Sequence, residues 1–143
     1  MLPPRPRQQV QYQKPKRINV VSVTMLLMLA ASIWVGMSAW PLLVLRSNVK
    51  NEIEEVMPRF WKLNLRTEAQ AREELIKLKR HLTERIRKVG VTDDKLQLVF
   101  DRNKKRVAIT AHFKAVGQLQ GWKRQFVLRF APRAETDAGR VDW

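Results

Sequence analysis

The sequence predicts an α+β membrane protein in which a single N-terminal transmembrane helix continues outward into a small domain. In that domain one amphipathic helix packs on a three-stranded antiparallel sheet. Three observations support this fold: an uncharged apolar run from Ile18 to Leu45, a helical spacing of apolar residues over 75–89, and a spacing of two from Leu96 onward. The chain has 143 residues, a net charge of +15 and no cysteine. One small domain is therefore expected, without disulfide bonds or cysteine-ligated metal.

Residues 1–17 predict a basic, proline-rich cytoplasmic tail, because they hold four of the seven prolines, five Lys/Arg residues and no acid. Only Arg46, Lys50 and Arg59 are basic in a comparable stretch beyond the apolar run. Basic residues favour the cytoplasmic side. We therefore expect a single-pass protein of the cell inner membrane, with the N-terminus in the cytoplasm and the C-terminal domain in the periplasm.

The run "INVVSVTMLLMLAASIWVGMSAWPLLVL" at 18–45 predicts the transmembrane helix, with its lipid-embedded part at 23–44. As a helix, 28 residues would extend roughly 42 Å, and a bilayer core is about 30 Å thick. A cleaved signal peptide or a buried core helix are the alternatives; "GMSAWP" is a poor match to a signal cleavage site. The residues predicted to lie at the membrane interface are Trp34, Trp40, Phe60 and Trp61, and those predicted to allow close helix packing are Ser32, Gly36 and Ala39.

A juxtamembrane helix followed by a hinge is predicted for residues 46–66. Val49, Ile53, Val56, Met57 and Phe60 recur at helical spacing. Pro58 is expected to kink or end this helix, since proline cannot donate the backbone hydrogen bond. The following "RFWKLNLR" is then the hinge.

Residues 67–132 predict the small α+β domain. "TEAQ" at 67–70 has the pattern of a helix-capping box, and Gly90 is a favourable helix stop. The predicted apolar helix face consists of Leu75, Leu78, Leu82, Ile86 and Val89. Three strands with one apolar face are predicted from the alternation in "LQLVF", "RVAITAHFK" and "WKRQFVLRF". Residues 133–143 are expected to be a flexible C-terminal tail.

This order of elements resembles the DUF4845-like family of small single-pass bacterial membrane proteins. The stretches that carry the resemblance are "MSAWPLLV", "AREELIKLKRHLTERIRKVGVTDDKLQLVF", "RVAITAHFKA" and "FVLRFAP", which span most of residues 37–132. The resemblance implies the architecture described above and contributes no catalytic residues.

The residues with catalytic potential do not form a recognisable motif. His81 and His112 lack the spacing of metal ligands, and Asp93 and Asp94 lie between helix and strand, where aspartate commonly completes a turn. The five glycines are scattered and form no phosphate loop. We therefore predict no enzyme activity, no catalytic or metal site and no cofactor.

The charge and the anchor together predict the partners. A basic surface is expected from Lys77, Arg80, Arg87, Lys88, Arg106, Lys114, Lys123 and Arg129. Trp143, at the end of the polar tail, is a candidate for docking to a partner. The favoured hypothesis is an accessory, structural or assembly subunit bound to other integral membrane proteins within the lipid bilayer. The alternative is a membrane-tethered basic adaptor for anionic lipid headgroups, or less plausibly nucleic acid, and a third is a scaffold that self-associates through a strand edge.

Overall fold

The computed structural model describes residues 19–63, 65–103, 105–119 and 121–137. It contains six elements in chain order: α1 Val20–Leu63, α2 Glu68–Val89, β1 Gln97–Arg102, β2 Arg106–Gln118, β3 Gln125–Phe130 and β4 Arg133–Asp137. The chain divides into two compact units, 1–34 and 35–143. In the first unit, the described residues from Val20 onward are α1; the second unit holds the rest of α1, α2 and the sheet. The predicted tail at 1–17 lies outside the described residues.

Helix α1 includes both Pro41 and Pro58 and ends only at Leu63. Of the two expectations for Pro58, a kink or an end, the helix end is therefore wrong, and the predicted hinge is helical up to Leu63. The physical reason lies beside the proline, because Met57 and Phe60 are 4% and 2% exposed in the core. Packing of these side chains offsets the backbone hydrogen bond that proline cannot make.

The core of the second unit is formed by α1, α2 and one face of the sheet. Its fully enclosed large side chains are Val49, Ile53, Val56 and Phe60 of α1, Leu82 and Ile86 of α2, and Val107 and Ile109 of β2. The apolar face predicted for α2 is confirmed at Leu78, Leu82 and Ile86, which are all buried. Residues 46–63 thus supply one wall of the folded body.

Helix α2 begins and ends where the sequence predicts. Thr67 is the N-cap residue in an extended conformation, but its hydroxyl donates to the Gln70 side chain at 3.2 Å and does not cap a backbone N–H. Gly90 follows the last turn with φ of 120°, a left-handed conformation that favours glycine, and its N–H bonds to the carbonyls of Ile86 and Arg87. The C-terminal prediction is confirmed, whereas the reciprocal capping box is not formed.

The sheet is antiparallel, and β2 is its central strand. β1 pairs with 107–112 on one edge of β2, β4 pairs with 106–110 and β3 pairs with 113–118. β3 and β4 follow each other along the second edge, where the Ala111 N–H donates to the Pro132 carbonyl at 3.0 Å between them.

The sheet has four strands, where three were predicted, because part of the expected C-terminal tail is β4. "RAETD" lacks a continuous apolar row, so its alternation gave no strand signal. Strand β4 is held in the sheet by backbone pairing to β2 and by the burial of Ala134. Residues 138–143, and with them the predicted docking residue Trp143, lie outside the described residues.

Candidate functional site

The apolar part of α1 exposes its large side chains. Those more than 60% exposed between 20 and 30 are Val20, Val21, Met25, Leu26, Leu27, Met28 and Leu29. Two hydroxyls of α1 are bonded within the helix: those of Thr24 and Ser32 donate to the carbonyls of Val20 and Met28, each at 2.8 Å. Among the described residues, α1 is the one helix that is long and apolar enough to cross a membrane, on length and composition alone.

The folded body covers one face of α1 from Ser38 onward. Ser38 is 5% exposed and Leu42, one turn later, is 7% exposed, whereas Trp40 is 67% exposed. The lipid-embedded stretch predicted at 23–44 therefore overlaps the core of the body at its C-terminal end. Along α1, the exposed apolar helix thus becomes a core helix between Ser38 and Leu42.

The four residues predicted for the membrane interface separate into two groups. Trp40 is exposed and Trp34 is partly exposed. Phe60 instead lies in the core, where its ring meets that of Phe100 edge to face at a centroid distance of 5.2 Å, and Trp61 packs against the same core. Phe60 is corrected from an interface residue to a packing residue, because the helix continues past Pro58 and carries it into the core.

The residues predicted for helix packing lie on α1, and two of them are exposed. Ser32 and Gly36 are exposed one turn apart, and Ala39 is half-buried. A Cβ placed on Gly36 would meet no atom within 4 Å. The backbone is therefore accessible at this point, as close approach of another helix requires.

The predicted basic surface divides between two elements. Lys77, Arg80, Arg87 and Lys88 are exposed on α2, and Arg106, Lys114, Lys123 and Arg129 are exposed on the sheet or its loop. On the sheet the two ends differ. Arg106 pairs with Asp137 at 2.8 Å, whereas Lys114 lies directly opposite another cation, Arg129, in the β2–β3 register.

The β2–β3 hairpin carries residues that sequence reasoning missed. Val116 and Val127 face each other across the two strands and are 58% and 56% exposed, and Trp122 in the connecting loop is 60% exposed. The alternation of the strands already assigned both valines to the face opposite the core. The apolar row on the core face of the same strands is the more regular pattern, so the two exposed valines were not singled out. Arg124 is also exposed here and adds to the predicted cations.

A cluster of ionic contacts joins α1 to α2. Arg85 of α2 lies 2.6 Å from Glu52 and donates to Glu55 at 2.5 Å. The hydrogen bond from Arg85 lowers the pKa of the Glu55 carboxyl. The Glu52 oxygen is buried and accepts no aligned hydrogen bond, so its contact with Arg85 is ionic. This cluster fixes the two helices against each other at the surface.

Asp93 completes a turn, as the sequence suggested. Its carboxylate accepts hydrogen bonds from the backbone N–H groups of Lys95 at 3.0 Å and Lys114 at 2.6 Å. These two bonds lower the pKa of the Asp93 carboxyl, because they stabilise its charged form. Asp93 thus ties the loop after α2 to the edge of β2, which is a structural role.

A basic cleft lies where α1 turns into α2. It has a volume of about 350 Å³ and is lined in part by Arg59, Lys62, Lys77 and His81. Across it Arg66 forms an ion pair with Glu74. Within the described ranges no group of three or more His, Asp or Glu side chains is placed to hold a metal ion. The absence of catalysis and of a cofactor stays a prediction.

No protein-family model, curated protein or solved structure matches this chain. The resemblance to the DUF4845-like family stays a prediction.

Proposed function

We propose that this protein is a non-catalytic single-pass membrane protein that acts as an accessory, structural or assembly subunit of a larger membrane complex. One observation carries the proposal: the helix with the exposed apolar surface is also a core helix of the folded body. Seven apolar residues of α1 between Leu42 and Leu63 are buried in the core that α1 forms with α2 and the sheet. The apolar segment and the body thus share one helix, with no separate linker sequence between them, which suits a membrane subunit.

In this proposal the membrane-spanning segment is 20–39. About 20 residues cross a bilayer, and the burial of Ser38 and Leu42 sets the end at which the body begins. Trp40 then lies at the interface, where tryptophan is favoured. The distribution of Lys and Arg supports a cytoplasmic N-terminus and a periplasmic body in the inner membrane.

Other integral membrane proteins are the proposed partners. Ser32 and Gly36 form a small-residue pair one turn apart on an exposed face of α1, and such pairs allow another helix to approach closely. On the body, Leu65 and Ile76 are 77% and 63% exposed. These side chains provide apolar contacts beyond the anchor.

The test is extraction of the tagged full chain from its native membrane in a mild detergent at low and at high salt, followed by mass spectrometry. The proposal predicts a stoichiometric set of membrane subunits that survives high salt. Gly36→Leu should reduce their recovery, because the larger side chain blocks close helix approach, whereas Met37→Leu, at a neighbouring exposed position, should not. Recovery of the protein only as a free monomer contradicts the proposal.

The second candidate is a membrane-tethered adaptor that binds anionic lipid or nucleic acid through its cations. It is supported by the stretch from 102 to 134, which contains nine Lys/Arg residues and no Asp or Glu. This candidate requires a cytoplasmic body. It predicts loss of all protein partners at high salt, with lipid or nucleic acid retained in the low-salt sample.

A further inference from the structure

The outward face of the β2–β3 hairpin is amphipathic towards its end. The hairpin end comprises residues 114–119 and 121–129. From the body outward, its cross-strand pairs are Lys114 with Arg129, Val116 with Val127, and Gln118 with Gln125. The loop that follows contains Trp122. A basic row is thus followed by an apolar row and then by a tryptophan at the turn.

The apolar part of this face is exposed within the second unit. Val116, Val127 and Trp122 are each more than half exposed. On a solvated sheet face, alternation normally places polar residues at such positions. Apolar side chains next to a tryptophan are instead the composition of a surface that enters a membrane interface.

The charges of the hairpin end are all of one sign. Lys114, Lys123, Arg124 and Arg129 lie between 114 and 130, and this stretch has no Asp or Glu. Like charges directly opposite each other, as in the Lys114 and Arg129 pair, destabilise a sheet. On β4, by contrast, a cation has an acidic partner: Arg133 forms an ion pair with Glu135 at 3.2 Å. Asp93 already places one carboxylate beside Lys114, since it accepts from the Lys114 backbone N–H at 2.6 Å, so an external anion would act chiefly at Arg129, Lys123 and Arg124.

Within the second unit, the hairpin points along α1 from its C-terminal turns towards Leu42. Phe100 contacts Phe60 and pairs with Ile109 of β2, so this part of the sheet lies beside the C-terminal turns of α1. Further along β2, Lys114, Ala115 and Val116 line a cavity together with Pro41, Leu42 and Leu45. β2 therefore runs antiparallel to α1, from the level of Phe60 to that of Leu42.

Continuing in this direction brings the hairpin end to the proposed membrane boundary. Strands rise about 3.3 Å per residue, so the three steps from Ala115 to Gln118 advance roughly 10 Å. A helix covers that distance in about seven residues. Starting beside Leu42, the end of β2 thus reaches the level of the turn before Ala39, where the proposed span ends.

The geometry points to the hairpin end as a second membrane contact, specific for anionic phospholipid. Val116, Val127 and Trp122 enter the interfacial layer, and Lys114, Lys123, Arg124 and Arg129 bind lipid phosphate groups. The inference rests on the proposed membrane anchoring by α1 and does not require the proposed protein partners. It implies that the body is held against its leaflet at two places.

The cysteine-free chain permits a direct test with single-cysteine variants of the full chain in lipid nanodiscs. Val116→Cys is compared with Val99→Cys, another exposed valine on the outward face of the same sheet. In nanodiscs containing anionic phosphatidylglycerol, a water-soluble maleimide should label Val116→Cys about tenfold more slowly than Val99→Cys, the factor expected for burying one exposed valine. Equal labelling rates would overturn the inference.

Three further variants test the membrane anchor and the hairpin cations separately. Met28→Cys reports on the anchor, and rapid labelling there would refute the membrane span itself. Replacing Lys123 and Arg124 by Gln should reduce the protection of Val116→Cys, whereas the same charge change at Lys77 and Arg80 of α2 should leave it unchanged. Protection that is insensitive to both changes would contradict the role of the hairpin cations.

Comparing nanodiscs with native membranes distinguishes protection by lipid from protection by a protein partner. The nanodiscs contain only lipid and this chain, so protection in them supports a lipid contact. Protection that occurs in native membranes but not in anionic nanodiscs would identify a protein partner at this surface and overturn the lipid assignment. In nanodiscs of zwitterionic lipid alone the protection should weaken.

Discussion

Replacing Phe60 by leucine tests whether the segment after Pro58 is a core helix or a membrane-surface hinge. Phe60 is 2% exposed, and its ring meets Phe100 at 5.2 Å with an interplanar angle of 70°. Loss of an edge-to-face pair costs about 0.5–1.5 kcal/mol, and removal of buried carbon atoms adds about 1.5 kcal/mol. The expected total loss in the free energy of unfolding is about 2–3 kcal/mol.

For a domain of this size that loss lowers Tm by about 8–24 °C. The assay is thermal unfolding of the full chain in detergent, followed by circular dichroism, with Leu65→Ala as the control. Leu65 is 77% exposed, so its truncation should change the free energy of unfolding by less than about 0.5 kcal/mol. A Tm for Phe60→Leu within about 2 °C of the parent, with weakened membrane retention instead, would refute the reasoning and restore the interface assignment.

Three other perturbations test the body of the protein by the same unfolding assay. Gly117→Ala places a Cβ about 2.8 Å from Cε1 of Phe126, so the ring must move and a loss of about 1–3 kcal/mol is expected; no loss would contradict this packing. Gly90→Ala forces an L-residue into the conformation with φ of 120° and should cost about 1–2 kcal/mol, and an unchanged Tm would contradict the left-handed cap. Asp93 has a lowered pKa in the folded state, so its contribution to stability is present above its unfolded pKa and is lost as the pH falls through the lower folded value. Asp93→Asn should therefore be less stable than the parent at neutral pH, and the difference should shrink below about pH 4; a difference independent of pH would contradict the account.

The parts predicted correctly from the sequence depend on local signals. The N-terminus of α2 followed from a threonine before an acidic turn, its C-terminus from Gly90, and its buried face from a regular spacing that includes Leu82 and Ile86. Each of these signals is complete within a few residues. The three apolar strand rows were also visible, because one face of the sheet is buried against helices.

The parts that were missed depend on contacts between distant segments. Pro58 has the local signature of a helix end, but the burial of Phe60 against Phe100 overrides it. β4 has few apolar residues and exists because β2 extends far enough to pair with it. Only the direction of β2 along α1 brings Val116 of the hairpin beside Leu42. None of these facts could be obtained from a window of neighbouring residues.

Alkaline carbonate extraction of native membranes tests whether α1 anchors this chain in a bilayer. Carbonate releases proteins that are held by charge alone, and an apolar helix that crosses the bilayer is retained. We expect the full chain to stay in the membrane pellet after extraction. Release of the full chain into the supernatant would contradict both the anchor and the membrane contact inferred for the hairpin.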